Sequence, residues 1–102
     1  MTDSILSGLD DTIHAKARLG IMAILMAQDS ADFTELKRSL NLTEGNLGAH
    51  LRILEEAGYI TVSKDFVNRR PRTTCRASEK GRAAFLAYVN ELKRIITLGG
   101  KS

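Results

Sequence analysis

Within ten residues the chain places a hydroxyl, a carboxylate, a carboxamide, an imidazole and a guanidinium: Thr43, Glu44, Asn46, His50 and Arg52. Such a set suits recognition by hydrogen bonding better than bond breaking. A carboxylate accepts from an amino group such as that of cytosine. A carboxamide can pair two-pronged with adenine, and a guanidinium with guanine or phosphate. A second group lies downstream, Asn68, Arg69, Arg70 and Arg72 around Pro71. Closely spaced guanidinium groups are the usual partners of phosphate oxygens.

Signatures of catalysis are absent. There is no phosphate-cradling Gly loop, no paired metal motif and no Ser, His and Asp set with recognisable local context. His14 and His50 stand far apart. The expectation is no enzyme, no catalytic residue, no metal and no cofactor. Cys75 is the single cysteine, so it has no internal disulfide partner, which agrees with a reducing compartment. Its place in a strand predicts burial, where a thiol behaves as a small hydrophobe.

The stretch Leu42–Ile60 must position the first group. Leu47, Leu51 and Leu54 share one side of a helix. Thr43 can cap its first turn, with Leu42 and Leu47 spaced as a hydrophobic staple. Gly58 is placed to end it in a left-handed turn. The opposite side carries Gly45, Asn46, Gly48, Ala49, Arg52, Ile53 and Glu56. Glycine inside a helix costs about 1 kcal/mol relative to alanine. Two of them near the start require a reason: close approach of another surface, such as DNA, or tight packing on a neighbouring helix.

The other elements follow from periodicity. Ile13, Ala17, Ile21, Ile24 and Leu25 mark a helix from Thr12 to Gln28, with Asp10 or Asp11 as its cap. The preceding residues show no clear pattern. After a polar loop, residues 33–40 form a short helix with Leu36 and Leu40 inward and Asp32 or Thr34 capping. Asn41 and Leu42 join it tightly to the next helix, a helix-turn-helix arrangement spanning about residues 33–57. Lys37 and Arg38 are phosphate candidates or ordinary surface charge. Residues 59–64 alternate as a half-buried strand, residues 65–70 form a hairpin tip, and residues 72–77 return. A short third segment near residues 31–33 could join this ribbon. Ser78 caps a last helix from Glu79 to about Leu98, and GGKS closes the chain as a flexible end. Phe85, Tyr88, Leu92 and Ile95 form a seam that Leu86, Val89 and Ile96 widen. That stripe exceeds what a small core needs and predicts a homodimer. The fold class is mainly α with a small β-hairpin, α+β.

Size and charge agree with this reading. A chain of 102 residues suits one domain with one modest core. The hydrophobic fraction of 43% and charged fraction of 26% are those of an ordinary folded protein. No apolar run approaches the ~20 residues that span a membrane. The acidic start, MTDSILSGLDD, lacks the pattern of a signal peptide, and a cytoplasmic location is expected. Net charge is +3, unevenly placed. Residues 1–32 carry −3, whereas residues 64–82 carry +5. That local positive field suits a polyanion; the alternative is a solvated hairpin.

GNLGAHLRILEEAGYI followed by VNRRPRTTCRASEKGRAAF resembles the winged helix-turn-helix transcriptional regulators of the MarR/ArsR-like group. The resemblance runs from about Ile13 to Tyr88. It implies a recognition helix over Leu42–Ala57, a wing over about residues 59–77 and a C-terminal dimerisation helix over about residues 79–98. The expected partner is double-stranded DNA. Thr43, Glu44, Asn46, Ala49, His50 and Arg52 would meet the major groove and its backbone. Asn68, Arg69, Arg70 and Arg72 would lie along the adjacent minor groove or phosphates. The family often has His at the position of His50, where backbone contact and packing are both open. The dimer interface would take Phe85, Tyr88, Val89, Leu92, Ile95 and Ile96. Metal-sensing relatives place cysteines in or beside the recognition region, and this chain has none there, so any effector is unknown. Two other uses suit the same fold: a protein–protein module in a larger assembly, or a regulator holding a small molecule in the dimer cleft.

Overall fold

The computed structural model describes residues 4–100. Their elements are α1 (Lys16–Ala27), β1 (Ala31–Asp32), α2 (Phe33–Leu40), α3 (Glu44–Glu56), β2 (Ile60–Val67), β3 (Arg70–Ala77) and α4 (Glu79–Gly100). The three strands form an antiparallel sheet in the order β1-β3-β2. The short third strand expected near residues 31–33 is present, with Ala31 opposite Cys75. Ile60 and Val62 of β2 face Ala77 and Cys75 of β3, on the side that turns to the helices.

Capping explains where α2, α3 and α4 begin and where α2 and α3 end. Asp32 accepts from the Glu35 N–H at 2.7 Å, and Thr43 from the Asn46 N–H at 3.1 Å. At the end of α2, Asn41 takes φ 53°, and the N–H groups of Asn41 and Leu42 return to the carbonyls of Arg38 and Lys37. Gly58 ends α3 the same way at φ 80°, with Gly58 and Tyr59 donating to Glu55 and Leu54. Both are Schellman closures, in which a left-handed residue satisfies the last free carbonyls. Ser78 then ties two ends together. Its hydroxyl donates to the Gly58 carbonyl at 2.6 Å and accepts from the Gly81 N–H at 3.0 Å. A Cβ on Gly81 would collide with the Tyr59 carbonyl, so glycine permits α4 to start against the end of α3.

One core joins these elements. Ile21, Met22 and Leu25 of α1, Leu36 of α2, and Leu47, Leu51 and Leu54 of α3 are buried with Ile60 and Cys75 of the sheet. Each large side chain so buried contributes about 1.5–3 kcal/mol.

Four expectations need correction. The first helix starts at Lys16, not Thr12; Asp10 instead accepts from Thr12 and Ile13 in a separate turn, which buries Ile13 outside the helix. The ribbon is longer than alternation implied, because its strands run to Val67 and from Arg70. Its tip is the two-residue turn Asn68–Arg69. Gly99 and Gly100 belong to α4 rather than to a loose tail; Lys101 and Ser102 lie outside the described residues. Tyr88, expected in the outer seam, is 2% exposed in the chain's own core, with its hydroxyl 2.9 Å from His14 Nδ1.

Candidate nucleic-acid interface

The first turns of α3 present their polar face to solvent. Thr43, Glu44, Asn46, Ala49 and Arg52 are exposed, and His50 is half-buried. The underside holds because Leu47, Leu51 and Leu54 are buried. Gly45 and Gly48 would meet nothing within 4 Å if given a Cβ. Packing against a neighbouring helix of this chain therefore does not account for them, and the face is open to another surface.

His50 is held from behind. Arg18 Nη1 lies 3.1 Å from its Nδ1, while Arg18 Nε donates to the Thr12 carbonyl at 2.6 Å. A guanidinium only donates, so Nδ1 accepts and the ring proton sits on Nε2. That arrangement leaves Nε2–H as a donor away from Arg18. The sequence carries no local signature of Arg18 in this role, because the contact spans 32 positions.

The ribbon beside α3 is the second part. Asn68 and Arg69 have φ of 52° and 67°, as a two-residue hairpin turn of the I′ type requires. Asparagine tolerates that region, but a long side chain such as Arg69 is uncommon there. Among the described residues, Arg72 pairs with Asp65 at 3.7 Å and Arg94 with Glu91 at 2.9 Å. Arg52, Arg69 and Arg70 have no carboxylate in that range, so their charge is available to phosphate. Gly48, Arg52 and Glu55 of α3 and Val62, Lys64 and Thr73 of the ribbon line one cleft of about 270 Å³. The α3 face and the base of the ribbon thus border one concavity, which Arg52 enters from the first group; Arg70 and Arg72 of the second lie along a separate groove with Phe33 and Val67. Lys64 enters it as an additional cation, and Phe66 is bare beyond it. Both follow the alternation that begins at Ile60, and continuing it past the core would have found them.

Two titrating groups belong to the frame rather than to this face. The Tyr59 hydroxyl donates to the Asp10 carboxylate. That bond, burial and the Asp10 charge push the phenol up to about 12. Burial, then the charges of Glu55 and Asp32, push the Cys75 thiol up to about 11. Cys75 is fully buried, as its strand position implied, and such a thiol stays protonated at neutral pH. Among the described residues no group of three or more His, Cys, Asp or Glu is placed to hold a metal ion. No helix among them is long and apolar enough to cross a membrane.

Residues 17–96 match a family model described as a winged helix DNA-binding domain. An uncharacterized protein from Methanocaldococcus jannaschii is 38% identical over 82 residues, covering 80% of this chain and 89% of that one. Among solved structures, a transcriptional regulator homologue from Pyrococcus horikoshii superposes with a TM-score of 0.82 at 31% identity, over 87% of this chain and 88% of the other. A MarR-family transcriptional regulator from Enterococcus faecalis gives a TM-score of 0.75 at 26% identity, over 99% and 93%.

Proposed function

The chain belongs to the winged-helix family of DNA-binding transcriptional regulators, and from that premise we propose that it binds specific duplex sites as a homodimer. The first turns of α3 enter the major groove. Asn46 and Glu44 meet base edges, Arg52 a guanine or a phosphate, and Thr43 and His50 the backbone. Ala49 lies on the same face, where a short side chain allows close approach. Asn68, Arg69 and Arg70 follow the neighbouring minor groove or its phosphates, with Arg72 behind them. No chemical step is involved, and the protein is not an enzyme.

The observation that carries this reading is the shared cleft: an open, glycine-containing polar helix face borders a ribbon whose tip cations lack acidic partners. Binding through such cations releases counterions and weakens steeply with salt. The test is selection of bound fragments from genomic DNA with purified protein at fixed salt. Recovery of a common near-palindromic motif supports the proposal. Recovery of random fragments, or of none at low salt, contradicts it.

A further inference from the structure

Phe66 is 74% exposed, the barest large apolar side chain among the described residues. It stands directly opposite Pro71 in the ribbon register, two residues before the turn. Its side of β2 is that of Ile60 and Val62, which pack on the core, and of Lys64, which borders the α3 cleft. By Phe66 the core has ended, so the ring gains nothing from the fold except its cross-strand neighbour. Pro71 donates no hydrogen bond and has a fixed φ, giving that neighbour a stiff backing. Lys64 shares the face of the pair, Arg69 stands in the turn, and Arg70 and Arg72 lie on the far face of the ribbon.

An apolar plate on a narrow cationic ribbon suits the minor groove of duplex DNA. The groove walls are sugar C–H surfaces, and phosphates line its rims. The groove is about 6 Å wide, so the ribbon tip and one ring can enter where the whole ribbon cannot. Apolar side chains that enter there unstack a base step and bend the duplex towards the major groove.

We propose that Phe66, backed by Pro71, is a wedge that the wing presses into the minor groove, so that the protein bends its site and prefers a deformable step beneath the wing. The inference rests on the DNA-binding reading above and deepens it: the charged tip holds the wing in place, and the ring reads deformability. Pyrimidine–purine steps such as TA yield most easily, and A-tracts resist. Preference at the wing position therefore needs no hydrogen bond to a base.

The experiment uses the full chain and the motif recovered by selection, end-labelled for energy transfer, with either a TA step or an A-tract under the wing. Bound wild type should shorten the end-to-end distance and favour the TA duplex. Phe66→Ala should lose roughly tenfold in affinity on the TA duplex and little on the A-tract, within the range of a single lost site determinant. Phe66→Thr, which keeps strand propensity, should behave likewise while retaining the wild-type melting temperature. The bend should fall in both variants. A wild type that binds without bending, or variants that keep both bend and step preference, overturn the wedge and leave the DNA-binding reading standing. A Phe66→Thr that loses affinity equally on both duplexes makes the ring a mere ribbon brace and also overturns it. A wild type that binds no duplex but a protein partner through this tip overturns both.

Discussion

Asn46 is exposed at the third residue of α3, with its backbone N–H already satisfied by Thr43, so its side-chain amide is free for a ligand. Asn46→Ala should weaken the selected site by roughly 1–3 kcal/mol and random DNA much less if the amide pairs with a base. Equal losses on both would assign it to phosphate. Arg69 carries positive φ in the turn, where glycine is preferred. Arg69→Gly should raise stability by about 1 kcal/mol through removal of that strain, read by denaturant unfolding, and should lower affinity for most duplexes. An observed strained residue at a proposed contact invites this test. Tyr59 supplies a pH dependence. Its phenol rises from 10.0 to about 12 in the folded chain. The stabilisation is therefore fully present below pH 10 and is lost as pH climbs towards the folded value. Solvent at this half-buried site limits it to about 1–2 kcal/mol. Tyr59→Phe should lower stability at neutral pH and remove the extra loss seen between those limits. An unchanged alkaline profile would mean that the Tyr59–Asp10 bond contributes little.

The elements differ in how plainly they could be read in advance. Leu47, Leu51 and Leu54 mark α3, and Thr43 and Gly58 mark its ends, because period and capping are local properties. The start of α1 is not legible from period alone, because Ile13 fits the helical period yet is buried by the turn that Asp10 caps. The ribbon runs past residue 64 because Asp65, Phe66 and Val67 continue the strand beyond the core, where polarity no longer marks its end. Tyr88 continues the outer seam by spacing but turns inward to His14, a partner 74 positions away. Arg18 behind His50 was hidden for the same reason. The two α3 glycines separate stability from function. Nothing crowds either one, so Gly45→Ala and Gly48→Ala should each stabilise the helix by up to about 1 kcal/mol. If duplex lies against that face, the same changes should weaken binding. Gly81→Ala should do the opposite in the fold, lowering the melting temperature because the Tyr59 carbonyl stands in its way.

The described residues extend 57 × 24 × 23 Å with a radius of gyration of 15.5 Å, above the ~13 Å of a compact domain of about a hundred residues. The 22 residues of α4 span about 33 Å, and the core meets only part of that length. Phe85, Val89 and Leu92 pack partly on it. Leu86, Ile96 and Leu98 remain 57%, 61% and 53% exposed, and Ile95 is half-buried beside them. The N-terminal segment adds Ile5 and Leu6, both exposed, with the Ile5 carbonyl accepting from Arg94 at 2.8 Å. Exposed apolar side chains at this end of the molecule suit an interface, and the proposed partner is a second copy of the chain. Ile96→Asp with Leu98→Asp alters exposed positions and should leave the helix signal intact. Sedimentation should then show monomers, and affinity for the full site should fall towards that of a half-site. Two-fold pairing would set the α3 helices about 34–36 Å apart, one turn of duplex. The central claim, that α3 and the wing together grip duplex DNA, is tested most directly by a salt titration on the selected site. Wild type and an Arg69→Ala, Arg70→Ala variant are measured side by side. Affinity of the wild type should fall steeply and linearly on logarithmic axes, and the variant should show a slope shallower by up to about two per wing. Equal slopes with a folded variant, or wild-type binding that ignores salt, would contradict the account.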